Sequence, residues 1–118
     1  MSNQTLTKNF IAEAGISAYR IVKFGSTDDY VVQAAAAGDS VIGVVEGVAP
    51  SAGERCDVVL AGIAEVTLGG GVTRGGGVVS DASGKGVASA STNRAIGYAL
   101  ASGVSGDVIP ILLAPHTV

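Results

Sequence analysis

Apolar residues occur along the chain in short runs that end at turn-forming residues. The runs at 19–24, 30–33 and 41–45 are rich in β-branched residues, and clusters of Gly, Ser and Asp separate many of the apolar runs. Within 63–68, apolar and more polar positions alternate, as in a strand with one packed face. The four alanines at 34–37 are too few for a helix and are followed by glycine. The pattern therefore predicts an all-β domain, a compact β-barrel or β-sandwich.

The second half of the chain repeats the first. Gly15-Ile16-Ser17 returns 56 residues later as Gly71-Val72-Thr73, and Ile42-Gly43-Val44 returns 54 residues later as Ile96-Gly97-Tyr98. The closing run at 58–61 returns 53 residues later at 111–114. Such self-similarity indicates a duplicated β unit whose copies cover each other's apolar faces. We therefore predict one β domain at 15–118 with internal repeats at 15–62 and 71–115, preceded by an extended N-terminal arm at 1–14.

Three positions inside apolar runs predict local irregularities. Gly43 is expected to mark a bulge or a close backbone approach, and Gly62 to hinge two strands, at 57–61 and 63–68. Pro110 cannot donate to a strand ladder, so its strand is expected to lie at a sheet edge or to kink there. By composition, 25–29 and 81–84 are turns and 47–53 is a loop.

Composition and charge narrow the range of partners. Charged residues make up only 14% of the 118 residues, which fits either burial against a partner or a thin, neutral β domain. The net charge of −3 and the scattered basic residues argue against a nucleic-acid or anionic-membrane partner. No apolar stretch approaches the ~20 residues of a membrane-spanning helix, and the polar N-terminus lacks the apolar segment of a signal peptide. The lone Cys56 is interpreted as a small packing residue in a reducing compartment.

The sequence lacks the motifs and side-chain combinations that are typical of an enzyme active site. The spacing of the glycines matches neither the dinucleotide-binding motif nor the Walker motif, which argues against a nucleotide-dependent enzyme. His116 is the single histidine, so one His and one Cys cannot build a tetrahedral zinc site. The only adjacent carboxylates, Asp28 and Asp29, lie in a predicted turn. We therefore predict no catalytic residues, no cofactor and no metal.

The order of the repeated motifs resembles that of the small capsid decoration, or cement, proteins of tailed bacteriophages. The matching stretches are Ala14-Gly15-Ile16-Ser17 with 42–46, and Gly71-Val72-Thr73-Arg74-Gly75 with 95–99. The resemblance covers roughly residues 12–115 and depends on the order and duplication of weak glycine and valine motifs.

The resemblance implies a structural virion protein on the capsid exterior, made in the bacterial host cytoplasm. It implies a homotrimer that stabilises the shell by bridging subunits of the major capsid protein. The arm would supply the capsid contacts, for which the candidates are Thr5, Leu6, Lys8, Phe10 and Ile11. The alternative is a small virion domain that binds carbohydrate or a cell-surface ligand. Sugar sites usually need stacked aromatic residues, and aromatic residues make up only 4% of this chain.

Overall fold

Nine β-strands and no helix form within residues 6–36, 40–89 and 94–117, the part of the chain that the computed structural model describes. The strands are β1 (Leu6–Ala12), β2 (Arg20–Phe24), β3 (Tyr30–Gln33), β4 (Val41–Val45), β5 (Arg55–Thr67), β6 (Gly77–Ser80), β7 (Gly86–Ala88), β8 (Arg94–Ala99) and β9 (Val108–Thr117). The prediction of an all-β fold is confirmed. Of the predicted connections, 25–29 joins β2 to β3, 81–84 joins β6 to β7, and 47–53 lies between β4 and β5.

The first five strands close into a barrel. β1 pairs in parallel with β3, the antiparallel pairs β3–β2, β2–β4 and β4–β5 follow, and β5 returns to pair with β1. The interior is filled by apolar side chains from every strand, with Ile16 closing one end: Phe10, Ala12, Ile16, Val22, Val31, Val45, Cys56 and Val58. Residues 6–12 of the predicted arm are thus a hydrogen-bonded strand of this barrel.

The remaining strands repeat this arrangement in the order β5-β9-β8-β6-β7. The Val22–Gly43 pair recurs as Val78–Gly97, and Val44–Val59 recurs as Tyr98–Leu112. Loop hydrogen bonds recur as well. The Ala12 N–H donates to the Glu54 carbonyl at 2.8 Å, and the Leu68 N–H donates to the Asp107 carbonyl at 2.7 Å. The counterpart of β1 is therefore the second half of β5.

This repeat defines two units. The first unit consists of β1 to β4 and β5 as far as Ala61, and the second consists of β5 from Gly62 and β6 to β9. At Gly62, which has a φ of 97°, β5 exchanges the strands of the first unit for β9. Instead of the two strands predicted at 57–61 and 63–68, the structure has one 13-residue strand that changes partners at this glycine. The predicted alternation also holds, since Ala64, Val66 and Leu68 are buried whereas Glu65 is exposed.

Gly43 brings two strands close together. The register of β2 with β4 shifts next to it, as at a bulge, and a Cβ built on Gly43 would collide with the Val59 carbonyl oxygen of β5. It would also lie 2.7 Å from Val58 Cγ1. Both features predicted for Gly43 are confirmed.

Pro110 does not lie at a sheet edge. β9 is hydrogen-bonded to β5 on one side and to β8 on the other, with Pro110 opposite Glu65. The Pro110 carbonyl accepts a 3.0 Å hydrogen bond from the Leu100 N–H. The edge alternative of the prediction is wrong, because a proline lacks only the donor and its carbonyl still pairs.

Candidate interaction surfaces

Strand β1 carries four of the five residues predicted to contact a capsid, and Thr5 lies outside the described residues. Leu6 is 60% exposed, and Lys8 is exposed as well. Ile11 is half-buried, and Phe10 is only 5% exposed in the interior of the first barrel. The structure therefore brings Leu6 and Lys8 to the surface and places Phe10 in the core.

Lys8 makes contacts within its own unit. Its Nζ lies 3.2 Å from Asp29 Oδ1 and 4.5 Å from the centre of the Phe10 ring. More than half of each side chain of this ion pair is exposed, so the pair contributes little to stability. The contacts hold the ammonium group above the barrel, where it remains accessible to a partner.

Beside Lys8 lies a groove that we call the first-unit groove. Its lining consists of Lys8, Phe10, Phe24, Ile42, Leu60 and the turn at 25–29, and its volume is about 700 Å³. Phe24 is 56% exposed, and its ring meets that of Phe10 edge-on at 6.3 Å between centroids. The groove thus presents apolar side chains to solvent, with the charged groups of Lys8 and the turn at its rim.

A second apolar surface lies on the other unit, and we call it the second-unit face. It consists of Tyr98, Leu100, Val108 and Leu112 on and beside β8 and β9. Tyr98 and Leu112 are directly opposite each other and are 40% and 41% exposed. Sequence analysis missed this surface. The available signal was the run at 108–113, in which polar residues never alternate with apolar ones, so that both faces of β9 are apolar.

Several acidic residues stabilise loops by accepting hydrogen bonds from the loop backbone. Glu54 accepts the Ser51 N–H at 2.6 Å, and its counterpart Asp107 accepts the Val104 N–H at 3.0 Å. Asp81 accepts two backbone N–H groups in the turn between β6 and β7. These carboxylates act as hydrogen-bond acceptors for local backbone, which is a structural role.

Glu13 has the same function in the turn between β2 and β3. Its Oε1 accepts the Ser26 hydroxyl at 2.6 Å and the Ser26 N–H at 2.8 Å. These hydrogen bonds, the hydroxyl first, lower the pKa of the Glu13 carboxyl.

Cys56 lies below a polar cluster on the outside of the first barrel. Arg55 donates to Asn9 Oδ1 at 2.8 Å, and Asn9 donates to Asp57 Oδ1 at 3.2 Å. Burial, and then the charge of Asp57, raise the pKa of the Cys56 thiol. A buried thiol with a raised pKa is a poor nucleophile, which agrees with its interpretation as a packing residue.

Among the described residues, no group of three His, Cys, Asp or Glu side chains is arranged to hold a metal ion. The side chain of His116 is not among those that the structure describes. Nothing in the described part of the chain forms a helix of the length and apolar character needed to cross a bilayer.

The comparison with known families shows to which class of protein these surfaces belong. The family model for phage cement proteins matches residues 1–113. The chain belongs to the phage cement protein family. The resemblance noted from the repeated motifs is thereby confirmed, and this cement protein is a capsid-associated structural protein of a phage.

Solved structures extend the comparison to the fold. The cement protein is similar to the crystal structure of the head fiber gp8.5 N base in bacteriophage phi29, with a TM-score of 0.72 and 17% identity. The match covers 98% of each chain. At this identity the similarity concerns the fold alone. No curated protein matches the sequence.

Proposed function

We propose that the protein binds the outside of an assembled phage capsid as a homotrimer and stabilises the shell by bridging neighbouring major capsid protein subunits. The observation that supports this most directly is the match to phage cement proteins over residues 1–113, nearly the whole chain. In this proposal the protein is made in the bacterial host cytoplasm and ends on the virion exterior. Its task is adhesion, without a catalytic step.

Thermodynamic linkage explains how binding would stabilise a shell. A protein that binds the assembled state and not its dissociated subunits shifts the equilibrium towards assembly by mass action. A trimer that engages several capsid subunits gains further, because its second and third contacts form at a high effective concentration. The closed barrel of the first unit suits this task, since a preorganised surface loses little conformational freedom on binding.

For the capsid contact we propose the N-terminal end of β1. Leu6 is an exposed apolar side chain, and Lys8 adds a charge on the same strand. The residues from Leu6 to Ile11 are paired with β5, and Thr5, next to Leu6 in the sequence, is a further candidate for the contact. Phe10 would support this contact from within the barrel, and the half-buried Ile11 follows it on β1.

The test uses capsids that lack the cement protein, incubated with purified chain and sedimented. Wild type is expected to co-sediment and to raise the temperature at which the capsids dissociate. Leu6→Asp is expected to weaken co-sedimentation at least tenfold. The matched control is Val104→Asp, because Val104 is a similarly exposed apolar residue, at 65%, in the loop at 101–106.

Two results would contradict the proposal. Wild type that stays in the supernatant would exclude capsid binding by this chain. Loss of binding in Val104→Asp with full binding in Leu6→Asp would move the contact away from β1. Bridging itself is tested by cross-linking mass spectrometry, which should find single copies linked to two different capsid subunits.

A further inference from the structure

The two units of the chain bury a contact between them. The first unit contributes outward side chains of β2, β4 and β5, chiefly Ile21, Val44 and Val59. These pack in one cluster with side chains of the second unit that include Ile96 and Leu113, and strand β4 packs on β8 and β9. The contact therefore joins two different surfaces, one from each unit.

The repeat gives each of these surfaces a counterpart on the other unit. The register equates the Val44–Val59 pair with Tyr98–Leu112, which lies on the second-unit face. The repeated sequence equates Ile96 and Leu113 with Ile42 and Leu60, which line the first-unit groove. The side chains used in the internal contact are buried, whereas their counterparts are half-buried or exposed.

The turn between β6 and β7 also takes part in the internal contact, and it has a counterpart in the first unit. The Ile21 N–H donates to the carbonyl of Gly84 at 2.8 Å, which places the turn between β6 and β7 against the first unit. Gly84 has a φ of 73°, and at the equivalent place in the first unit Asp29 has a φ of 68°. The turn of Asp29 lines the first-unit groove. The groove thus repeats both the strands and the turn of the surface that the second unit uses inside the chain.

We propose that the second-unit face of one copy packs into the first-unit groove of the next copy, in the way the two units pack within one chain. The occupant of each surface is a second copy of this chain. Phe24, 56% exposed in the groove, would be covered by the second copy, whereas its counterpart in the second unit is the small residue Ser80, which is 1% exposed. Tyr98 is of a residue type enriched in protein interfaces, and together with Leu112 it offers more side-chain volume than the valine pair it replaces.

This contact is head-to-tail, because it joins different surfaces of two identical chains. Such contacts either close into a ring or continue as a filament. A cyclic trimer would use each face and each groove once. The inference rests on the homotrimer in the proposed function and specifies which surfaces hold it together.

The test uses two variants that each disable one side of the contact. Leu112→Asp places a charge in the second-unit face and leaves the groove intact, and Phe24→Asp does the reverse. In sedimentation velocity, wild type is expected at three times the 11.5 kDa chain mass and each variant alone at the monomer mass. An equimolar mixture of the two variants is expected to form a dimer and nothing larger, because only one intact face and one intact groove can meet.

Val104→Asp is the control for an added charge outside both surfaces and should keep the wild-type mass. Circular dichroism checks that the variants are folded, and Thr27→Arg, in the turn that lines the groove, replaces Phe24→Asp if that variant unfolds. A monomeric wild type, unchanged masses in both single variants, or a mixture that stays monomeric would each overturn the proposal. Capsid co-sedimentation is measured in parallel. Retained capsid binding together with unchanged variant masses, or with a mixture that stays monomeric, would refute this contact alone. A monomeric wild type would also refute the homotrimer of the proposed function. A wild-type trimer that does not bind capsids would refute capsid binding and leave this contact standing.

Discussion

Replacing Gly43 by alanine should destabilise the fold, although both residues are small and the site lies in a strand. The new Cβ would collide with the Val59 carbonyl oxygen and lie 2.7 Å from Val58 Cγ1. A carbonyl in a paired strand cannot rotate away, so β5 itself would have to shift. Overpacking costs about 1–3 kcal/mol, and we expect the upper part of this range because the clash is with backbone. The reduced freedom of alanine in the unfolded chain offsets roughly 0.5–1 kcal/mol of that.

The net loss of about 2 kcal/mol corresponds to a fall of roughly 8 °C in Tm for a domain of this size. Thermal unfolding followed by circular dichroism measures it, at one protein concentration because association shifts Tm. The matched control is Gly15→Ala, since a Cβ on Gly15 would meet no atom within 4 Å. A Gly43→Ala variant that melts within about 1 °C of this control would refute the close approach of β4 and β5.

Two further predictions concern titratable groups. Because the pKa of Glu13 is lowered below its usual 4.5, its carboxylate stabilises the fold above that value, and this contribution is lost as pH falls through the lowered pKa. The Tm difference between wild type and Glu13→Gln should therefore be present at pH 7 and shrink below about pH 4, and Ser26→Ala should reduce it at pH 7; a difference that grows in acid would contradict this. Because Cys56 is buried and its thiol pKa is raised, an aromatic disulfide reagent at pH 8 should react at least tenfold more slowly with the native chain than with the chain in guanidinium. Equal rates would show that the thiol is accessible.

Local features of this fold were readable from the sequence because local chemistry determines them. The turn at 81–84 follows from an aspartate whose carboxylate accepts the backbone N–H groups of Ser83 and Lys85. Gly43 stood out as the glycine within the apolar run at 41–45, and the structure shows the backbone that approaches it. The duplication was also readable, since the same motifs return in the same order.

The pairing of strands that are distant in the sequence could not be predicted from local chemistry. Residues 6–12 contain the polar stretch 7–9 and looked separate from the repeat, yet they form β1, which closes the first barrel through β3 and β5. Their counterpart is the second half of β5, which has a different residue at every equivalent position, so side-chain similarity did not reveal the match. The second-unit face was missed for a related reason, because a strand that is apolar on both faces gives no sign of which face is covered.

Strand β5 runs through both repeats, because its first part pairs with β1 and its second part with β9. A cut at Gly62, where the two units meet, would leave each unit its own part of β5 but would expose the Val44–Val59 surface of the first unit and the Ile96 and Leu113 side chains that pack with it. Neither half is then a self-sufficient building block, and the chain should melt in one cooperative step. In evolutionary terms, once the duplicated halves shared this buried contact, neither could be lost without the other.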